Sequence, residues 1–319
     1  MEGYEAARRP NHDEKEERAS SIGMSELLRL FPPPTEAVPL EGLYLAHALR
    51  GCDDRSRDFV YANFITSLDG RIAFNSSRTG SFSIPQAIAN RRDWRLFQEL
   101  AAQADALIVS GRYVRQLAKG SAQDILPLSE QPQYQDLLEW RQAQGLVPQP
   151  AAVILSASLD LPISRALLTP NRALFVATGL EADTARVQAL EREGIRVIFA
   201  GAGQRVQGRS LIDGLQQQGL RTIYSTAGPE VLATLLVDRV LDRLYLTQVP
   251  RILGGEDYAT LVKGPKLSPP AGFKLHSLYY EAPTEDHVGQ LFGVYDSSLM
   301  PPDPLSCALG LTASRAAGW

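Results

Sequence analysis

The chain has 319 residues, 44% of them hydrophobic, which is enough apolar material for a sizeable core. Its net charge of −4 and the lack of a Lys/Arg stripe argue against a nucleic-acid partner. No apolar run reaches the roughly 18–20 residues that cross a membrane, and the charged start MEGYEAARRPNHDEKEER lacks a signal-peptide core, so we expect a soluble, cytoplasmic protein.

Both ends of the chain lack the apolar periodicity of folded segments. Residues 1–23 are charged, small and polar, which predicts disorder because little apolar surface offsets the entropy of ordering them. The cluster LLRLF (27–31) predicts one amphipathic turn, which the prolines at 32–34 end. Residues 298–319 carry Pro, Gly and Ala without periodicity and predict a flexible tail. We therefore expect one folded domain over 24–297.

Between these ends, strand patterns alternate with helix patterns. Short apolar runs rich in β-branched residues predict strands at 59–66, 106–110, 151–156, 172–178, 195–200 and 221–226. Apolar residues at helical spacing predict helices at 85–104, 131–145, 181–193, 209–218 and 229–237. The run 241–250 and two strand-like segments, 273–282 and 287–295, follow. This order predicts an α/β fold with a mostly parallel central sheet, helices on both faces and antiparallel C-terminal edge strands.

Ligands of open α/β sheets bind beyond the carboxyl ends of the strands, so polar residues at those ends are candidates. The first candidate is the turn TSLDG (66–70), which includes Ser67 and Asp69. Two interpretations of Asp69 are open: it caps backbone donors of a tight turn, or it lines the pocket and helps to protonate a reducible group.

Three further strand ends carry residues of this kind. Ser110 and Gly111 follow the strand at 106–109, where glycine permits close backbone approach and the next helical turn offers N–H groups to an anion. The hydroxyl of Ser156 is placed to meet a ribose or phosphate. Gly228 and Pro229 join a strand to a helix, whose first N–H groups and positive dipole end would face a phosphate. Each of these patterns also occurs as an ordinary turn or cap.

Several other patterns do not predict a site. Gly201 and Gly203 follow a strand, but no G-x-G-x-x-G is completed. The four histidines and two cysteines lack metal-ligand or disulfide spacing, so we expect no metal and unpaired thiols; they are His12, His47, His276, His287, Cys52 and Cys307. GxSxG and Walker A motifs are absent, which argues against acyl transfer and P-loop chemistry.

Five segments, taken in order, resemble one family: ANFITSLDGRIA, ELAAQADALIVSGRYV, AAVILSASLDLP, YSTAGPEVLATLLVDRVLDRLYL and QVPRILGGEDYATLVKGP. The family is the C-terminal reductase domain of the bifunctional deaminase-reductase of riboflavin biosynthesis, with its stand-alone pyrimidine reductase relatives. The resemblance covers residues 26–296. It implies a dihydrofolate-reductase-like fold, NADPH as cofactor and a homodimer. It also implies hydride transfer to the ribosyl C1′ of 5-amino-6-(5-phosphoribosylamino)uracil.

The resemblance also assigns roles by position. It implies contacts to nicotinamide and substrate for Ile65, Ser67 and Asp69, with Asp69 as the catalytic group, and a substrate contact for Ser83. The expected cofactor contacts are Ser110, Gly111, Ser156, Gly228, Pro229, Glu230 and Val231.

Four positions depart from the family pattern. Ala101 replaces an arginine that binds substrate phosphate, and Thr226 replaces a glutamate. Tyr113 and Leu117 replace a threonine and an aspartate that serve cofactor and substrate. Arg112 and Arg115 are the nearest alternative cations. Three hypotheses therefore stay open: a pyrimidine reductase, a nucleotide-binding relative that has lost catalysis, and a reductase of a pterin-like or other carbonyl or imine substrate.

Overall fold

Strands dominate the part of the chain that the computed structural model describes, which is residues 26–50, 58–76, 81–120, 122, 128–163, 167, 172–285 and 287–299. The predictions for residues 1–23 and 300–319, and for Cys52, Cys307 and His12, lie outside it. Its strands are β1 (Leu27–Phe31), β2 (Glu36–Val38), β3 (Phe59–Ser67), β4 (Ala73–Ser76), β5 (Ser81–Ser83), β6 (Ala106–Ser110), β7 (Ala151–Leu155), β8 (Leu174–Thr178), β9 (Arg196–Phe199), β10 (Thr222–Ser225), β11 (Arg243–Val249), β12 (Tyr258–Ala259), β13 (Phe273–Glu281) and β14 (Gln290–Ser297).

Six α-helices connect these strands in the described residues. They are α1 (Arg91–Gln103), α2 (Gly111–Ala118), α3 (Gln135–Ala143), α4 (Thr184–Arg192), α5 (Gly208–Gln217) and α6 (Pro229–Val237). Short 3-10 turns lie at Leu45–His47 and Pro132–Tyr134. Among the described residues, no helix has the length and apolar character needed to cross a membrane.

One large sheet has the strand order β2-β1-β13-β14-β11-β3-β10-β6-β7-β8-β9. From β11 to β9 every neighbouring pair is parallel, whereas the pairs from β2 to β11 are antiparallel. This confirms the predicted class: a mostly parallel α/β sheet with antiparallel C-terminal edge strands.

The sheet buries both of its faces, because alternate side chains of each strand point to opposite sides. Residues such as Tyr61, Val109 and Ile154 face one core, into which α1, α2, α3 and α4 contribute apolar side chains. Their neighbours in sequence, such as Val60 and Val153, face the other core, to which α5 and α6 contribute apolar side chains. Helices therefore cover both faces, as the βαβ alternation predicts.

A second, three-stranded sheet, β12-β4-β5, lies beside the end of β3. Phe74 of β4 pairs with Tyr258 of β12 on one side and with Ser83 of β5 on the other. No strand was predicted for these segments, because runs of two to four residues carry too little periodicity.

Two predicted elements differ from the structure. The segment 27–31 is not an amphipathic turn but strand β1, which pairs with β13 and buries Leu27 while Leu28 stays exposed. The helix predicted from residue 85 begins at Arg91, because the Asn90 side chain accepts the N–H groups of Arg92 and Asp93 and so caps it there.

Candidate functional site

A crevice of about 980 Å³ opens beyond the carboxyl ends of β3, β6, β7 and β10. Parallel strands place their carboxyl ends at one edge of the sheet, so residues that are distant in sequence meet there. The second sheet forms another wall through Phe82, Ser83 and Tyr258. The crevice is therefore built at the predicted edge.

Most of the residues predicted from the sequence line this one crevice. They come from different elements: the end of β3, β5, the β6–α2 junction, the end of β7 and the start of α6. The lining residues among them are Ile65, Ser83, Ser110, Gly111, Ser156, Gly228, Pro229, Glu230 and Val231.

Ser67 and Asp69 are not among the lining residues. The buried Ser67 hydroxyl donates to Asp69 Oδ1 at 2.5 Å, and the backbone N–H groups of Leu253 and Gly254 donate to Asp69 Oδ2 at 3.1 and 2.9 Å. The hydrogen bonds from Ser67 and Gly254 lower the pKa of Asp69 to about 2, so it carries no proton to donate near neutral pH. Of the two open interpretations of Asp69, this geometry favours the capped turn.

The start of α6 presents backbone to the crevice. Gly228 is its N-cap, and no side chain of the described residues caps the first turn. A Cβ atom added to Gly228 would meet nothing within 4 Å, so the space in front of the helix is open. Uncapped N–H groups and the positive end of the helix dipole favour an anion here.

The strand-end serines have structural partners as well as a place in the crevice. Ser110 Oγ accepts the N–H of Tyr113 at 3.3 Å and caps α2, and Ser156 Oγ accepts the N–H of Leu159 at 3.1 Å. A Cβ atom added to Gly111 would lie 3.3 Å from Ser156 Oγ. A larger residue at Gly111 would therefore require the Leu161 and Ser156 side chains to shift by a few tenths of an ångström.

Charged side chains cluster at the crevice around Glu230. Its carboxylate lies 3.6 Å from Arg112 Nη2 and 3.2 Å from Lys263 Nζ, and all three side chains are more than half exposed. Arg115 also lines the crevice and donates to the carbonyl of Asp160 at 3.1 Å. Exposed pairs of this kind contribute little stability, so these cations are accessible to a ligand phosphate.

The positions that depart from the family pattern are filled by packing. Ala101 and Tyr113 belong to a hydrophobic core, and Leu117 packs against it. The Thr226 hydroxyl donates to the carbonyl of Ile108 at 3.1 Å. At these four positions, apolar packing or a backbone contact stands where the resemblance implies charged or polar ligand-binding groups.

Asp93, which was not predicted from the sequence, lines the crevice from the first turn of α1 together with Trp94 and Phe97. Burial raises the pKa of Asp93 to about 6, although a hydrogen bond with the Thr247 side chain acts in the opposite direction. Asp93 Oδ1 is buried and has no hydrogen-bond partner among the described residues. An acid in the first turn of a helix is commonplace, so nothing in the local sequence marked Asp93 as a site residue.

The segment after β11 was also missed as part of the site. Glu256, Asp257, Tyr258 and Lys263 line the crevice, and the Asn75 amide donates to Asp257 Oδ2 at 2.8 Å. The signal was present, because this segment lies in QVPRILGGEDYATLVKGP.

Gly201 and Gly203, which were not predicted to form a site, have structural roles. Leu180 and Glu181 donate their N–H groups to the carbonyls of Gly201 and Gly203, and a Cβ atom added to Gly179 would lie 1.8 Å from the carbonyl oxygen of Gly203. The two glycines therefore join neighbouring loops, and neither of them lines the crevice.

The comparisons with known proteins agree with this architecture. The family model of the RibD C-terminal domain matches residues 58–282. No curated protein matches the chain. A solved pyrimidine reductase-like protein from Corynebacterium diphtheriae is 22% identical, with a TM-score of 0.53 over 75% of this chain and 92% of that one.

Two further solved structures share the fold at lower identity. RibD from Acinetobacter baumannii is 17% identical, with a TM-score of 0.53 over 76% of this chain. The match spans only 58% of that longer RibD chain. The riboflavin biosynthesis reductase Rib7 from Saccharomyces cerevisiae is 13% identical, with a TM-score of 0.51 over 80% of this chain and 96% of that one.

Proposed function

The chain belongs to the RibD C-terminal domain family, and we propose from this that it is a cytoplasmic, NADPH-dependent reductase of a pyrimidine-type substrate. One observation carries the proposal: a single crevice gathers the predicted cofactor residues from four separate strand ends. The preferred reaction is that of 5-amino-6-(5-phosphoribosylamino)uracil reductase, in which the ribosyl C1′ becomes a ribityl carbon.

The crevice suits a dinucleotide in size and in its polar groups. Its volume of about 980 Å³ lies near the upper end of the range for small-molecule sites. The open start of α6 at Gly228 would hold the pyrophosphate, and the hydroxyl of Ser156 would reach a ribose. Arg112 and Lys263 offer charge for a further phosphate. NADPH, when bound, supplies the hydride.

The residues of the chain would position the reactants rather than attack them. Ile65 would support the nicotinamide ring and orient it toward the electrophilic carbon. Trp94 and Phe97 would exclude water from that contact. Opening of the ribose ring transfers the N–H proton to the ring oxygen and leaves a C=N bond at C1′. C1′ then gains the hydride, and the nitrogen, which stays singly bonded to C1′, takes one proton from solvent. Asp69 would act as a positioning residue, because its carboxylate holds the backbone of 253–254.

The departures at Ala101, Tyr113 and Leu117 favour a second candidate. Ala101 packs where the resemblance implies an arginine for the substrate phosphate, and Tyr113 and Leu117 pack where it implies polar groups that serve cofactor and substrate. A reductase of a pterin-like or other ring that lacks that phosphate would fit them better. A relative that binds the nucleotide without catalysis is the third.

We also propose a homodimer formed through the antiparallel part of the sheet. Tyr280 of β13 pairs in register with Leu28 of β1 and Leu291 of β14, so the three side chains form a row across one face. Leu28 and Leu30 are 41% and 39% exposed there. Contiguous apolar surface of this kind marks an interface.

NADPH binding, followed by fluorescence, and then NADPH consumption with the ribosylaminopyrimidine test the proposal. Binding with turnover supports a pyrimidine reductase, and turnover only with dihydropterins supports the second candidate. Tight binding without turnover across pyrimidines and dihydropterins would contradict both and favour the non-catalytic relative.

A further inference from the structure

Glu230 places a carboxylate at the point where the crevice offers positive charge to an anion. It is the second residue of α6, after Gly228 at the N-cap and Pro229. Its carboxylate lies 3.6 Å from Arg112 Nη2 and 3.2 Å from Lys263 Nζ. Glu230 and both cations line the crevice. The open start of α6 therefore has a negative group of the protein itself beside it.

The two cations are kept near Glu230 by their backbone. Arg112 is the second residue of α2. The strands that lead into α2 and α6, β6 and β10, are parallel neighbours in the sheet, so the two helix starts lie side by side. The backbone N–H of Lys263 donates to the carbonyl of Pro229 at 3.2 Å. The three side chains are more than half exposed, so they can exchange one partner for another at little cost.

The charges of this cluster do not cancel. Arg112 and Lys263 are positive and Glu230 is negative, so a positive charge is left for a ligand. A phosphate that reaches both cations also meets the Glu230 carboxylate, and the two negative groups repel each other at that short separation. The phosphate therefore binds tightly only when the carboxylate has moved toward solvent. A ligand without a phosphate at this place does not meet that repulsion.

We propose that Glu230 competes, as an internal anion, with the phosphate by which NADPH differs from NADH. In the empty crevice its carboxylate neutralises part of the charge of Arg112 and Lys263, and it moves aside when that phosphate binds. Glu230 thereby reduces the preference of the crevice for NADPH over NADH. This inference rests on the proposed function, because it concerns the cofactor specificity of the same crevice.

The test measures the dissociation constants of NADH and NADPH for the full chain by fluorescence titration and takes their ratio. Both dinucleotides carry the pyrophosphate, so the ratio reports on the additional phosphate. Glu230→Gln keeps the size of the side chain and removes its charge. In about 0.1 M salt it should raise the ratio at least about threefold, because NADPH no longer meets the repulsion. Glu191→Gln, at an exposed position of α4 outside the crevice lining, is the matched control and should leave the ratio unchanged.

A second measurement separates charge repulsion from a change in the shape of the crevice. In about 1 M salt the screening length falls to about 3 Å, so the effect of Glu230→Gln on the ratio should fall below about 1.5-fold. A change of shape would act equally at both salt concentrations. An effect of the same size in high salt would therefore overturn the inference.

The two proposals fail in different ways. An unchanged ratio in Glu230→Gln overturns the competition and leaves the reductase proposal standing. A lower ratio does the same, since Glu230 would then hold the cations in place for the phosphate. Arg112→Gln should lower the ratio, and an unchanged ratio there would place the phosphate away from this cluster and overturn the inference alone. Failure of the unaltered protein to bind either dinucleotide overturns the reductase proposal and the inference that rests on it.

Discussion

The Asp69 carboxylate accepts the backbone N–H of Gly254 at 2.9 Å and so joins the turn after β3 to the segment after β11. That segment continues into residues 256–263, several of which line the crevice. Asp69 therefore acts on the crevice through backbone that it holds, although its own side chain is not part of the lining.

Asp69→Asn should lower the melting temperature, whereas turnover should change little. Asparagine loses the charge-assisted hydrogen bonds, whereas no reacting group is removed. The pKa of Asp69 is about 2 in the folded protein and about 3.9 in an unfolded chain. Its contribution is therefore complete above pH 4 and is lost as the pH falls toward 2. Urea unfolding at several pH values measures both effects.

The exposed Asp213→Asn variant controls for loss of one negative charge and should melt like the unaltered protein. A turnover loss of more than tenfold in Asp69→Asn with an unchanged melting temperature would instead make Asp69 a catalytic residue.

Gly228→Leu should weaken NADPH binding by at least about tenfold while the protein folds normally. The backbone angle φ at Gly228 is −73°, which any residue adopts, and a Cβ atom there meets nothing within 4 Å. The added side chain would fill the space in front of α6. Gln207→Leu places the same side chain at the N-cap of α5, outside the crevice, and should bind NADPH normally. Unchanged affinity in Gly228→Leu would place the pyrophosphate elsewhere.

Leu28→Glu should convert the proposed dimer to a monomer, because a charge in the exposed apolar row repels its copy across a two-fold axis. Light scattering during size-exclusion chromatography measures the mass. Leu180→Glu, at a side chain that is 65% exposed elsewhere, should leave the mass unchanged. A monomeric unaltered protein would contradict the interface.

Because of His47, the free energy of unfolding should be smaller in weak acid than at neutral pH. Its ring nitrogens lie 3.0 Å from the Tyr245 hydroxyl and 3.2 Å from that of Tyr279. Burial, followed by the charge of Arg243 and by His276, lowers the pKa of His47 well below 6.5. Below pH 6.5 the unfolded chain therefore binds a proton that the folded protein does not. The free energy of unfolding should fall by up to about 1.4 kcal/mol per pH unit.

His47→Gln keeps a polar side chain at this position but has no titrating group there. Its unfolding free energy should change less than that of the unaltered protein between pH 6.5 and 5. Identical pH slopes for the two proteins would show that His47 does not contribute.

The central strands and most helices could be predicted from the sequence because their patterns are long and have clear start and stop signals. Gly228 and Pro229 define the start of α6, and the predicted and observed bounds of that helix agree. The prediction for residues 27–31 was wrong because a run of five apolar-rich residues does not distinguish a turn from an edge strand. Its pairing with β13 depends on residues about 250 positions later, which local pattern does not reveal.

The candidate site also contains some residues that could be predicted from the sequence and others whose roles depend on distant contacts. Ser110, Ser156 and Gly228 were found because strand ends at one sheet edge meet whatever their sequence distance. The roles of Asp69 and Asp93 depend on tertiary contacts instead. Asp69 receives its partners from residues 253–254, and Asp93 is notable only because packing leaves one of its oxygens without a donor.

The position of β3 in the sheet has a consequence for how the chain folds during synthesis. Both neighbours of β3, β10 and β11, lie about 160 to 180 residues further along the chain. Until β10 and β11 leave the ribosome, the apolar strand β3 has both of its hydrogen-bonding edges unpaired. Such delayed, long-range pairing is slow and prone to aggregation. We therefore expect the nascent chain to depend on chaperones that shield this strand until β11 is complete.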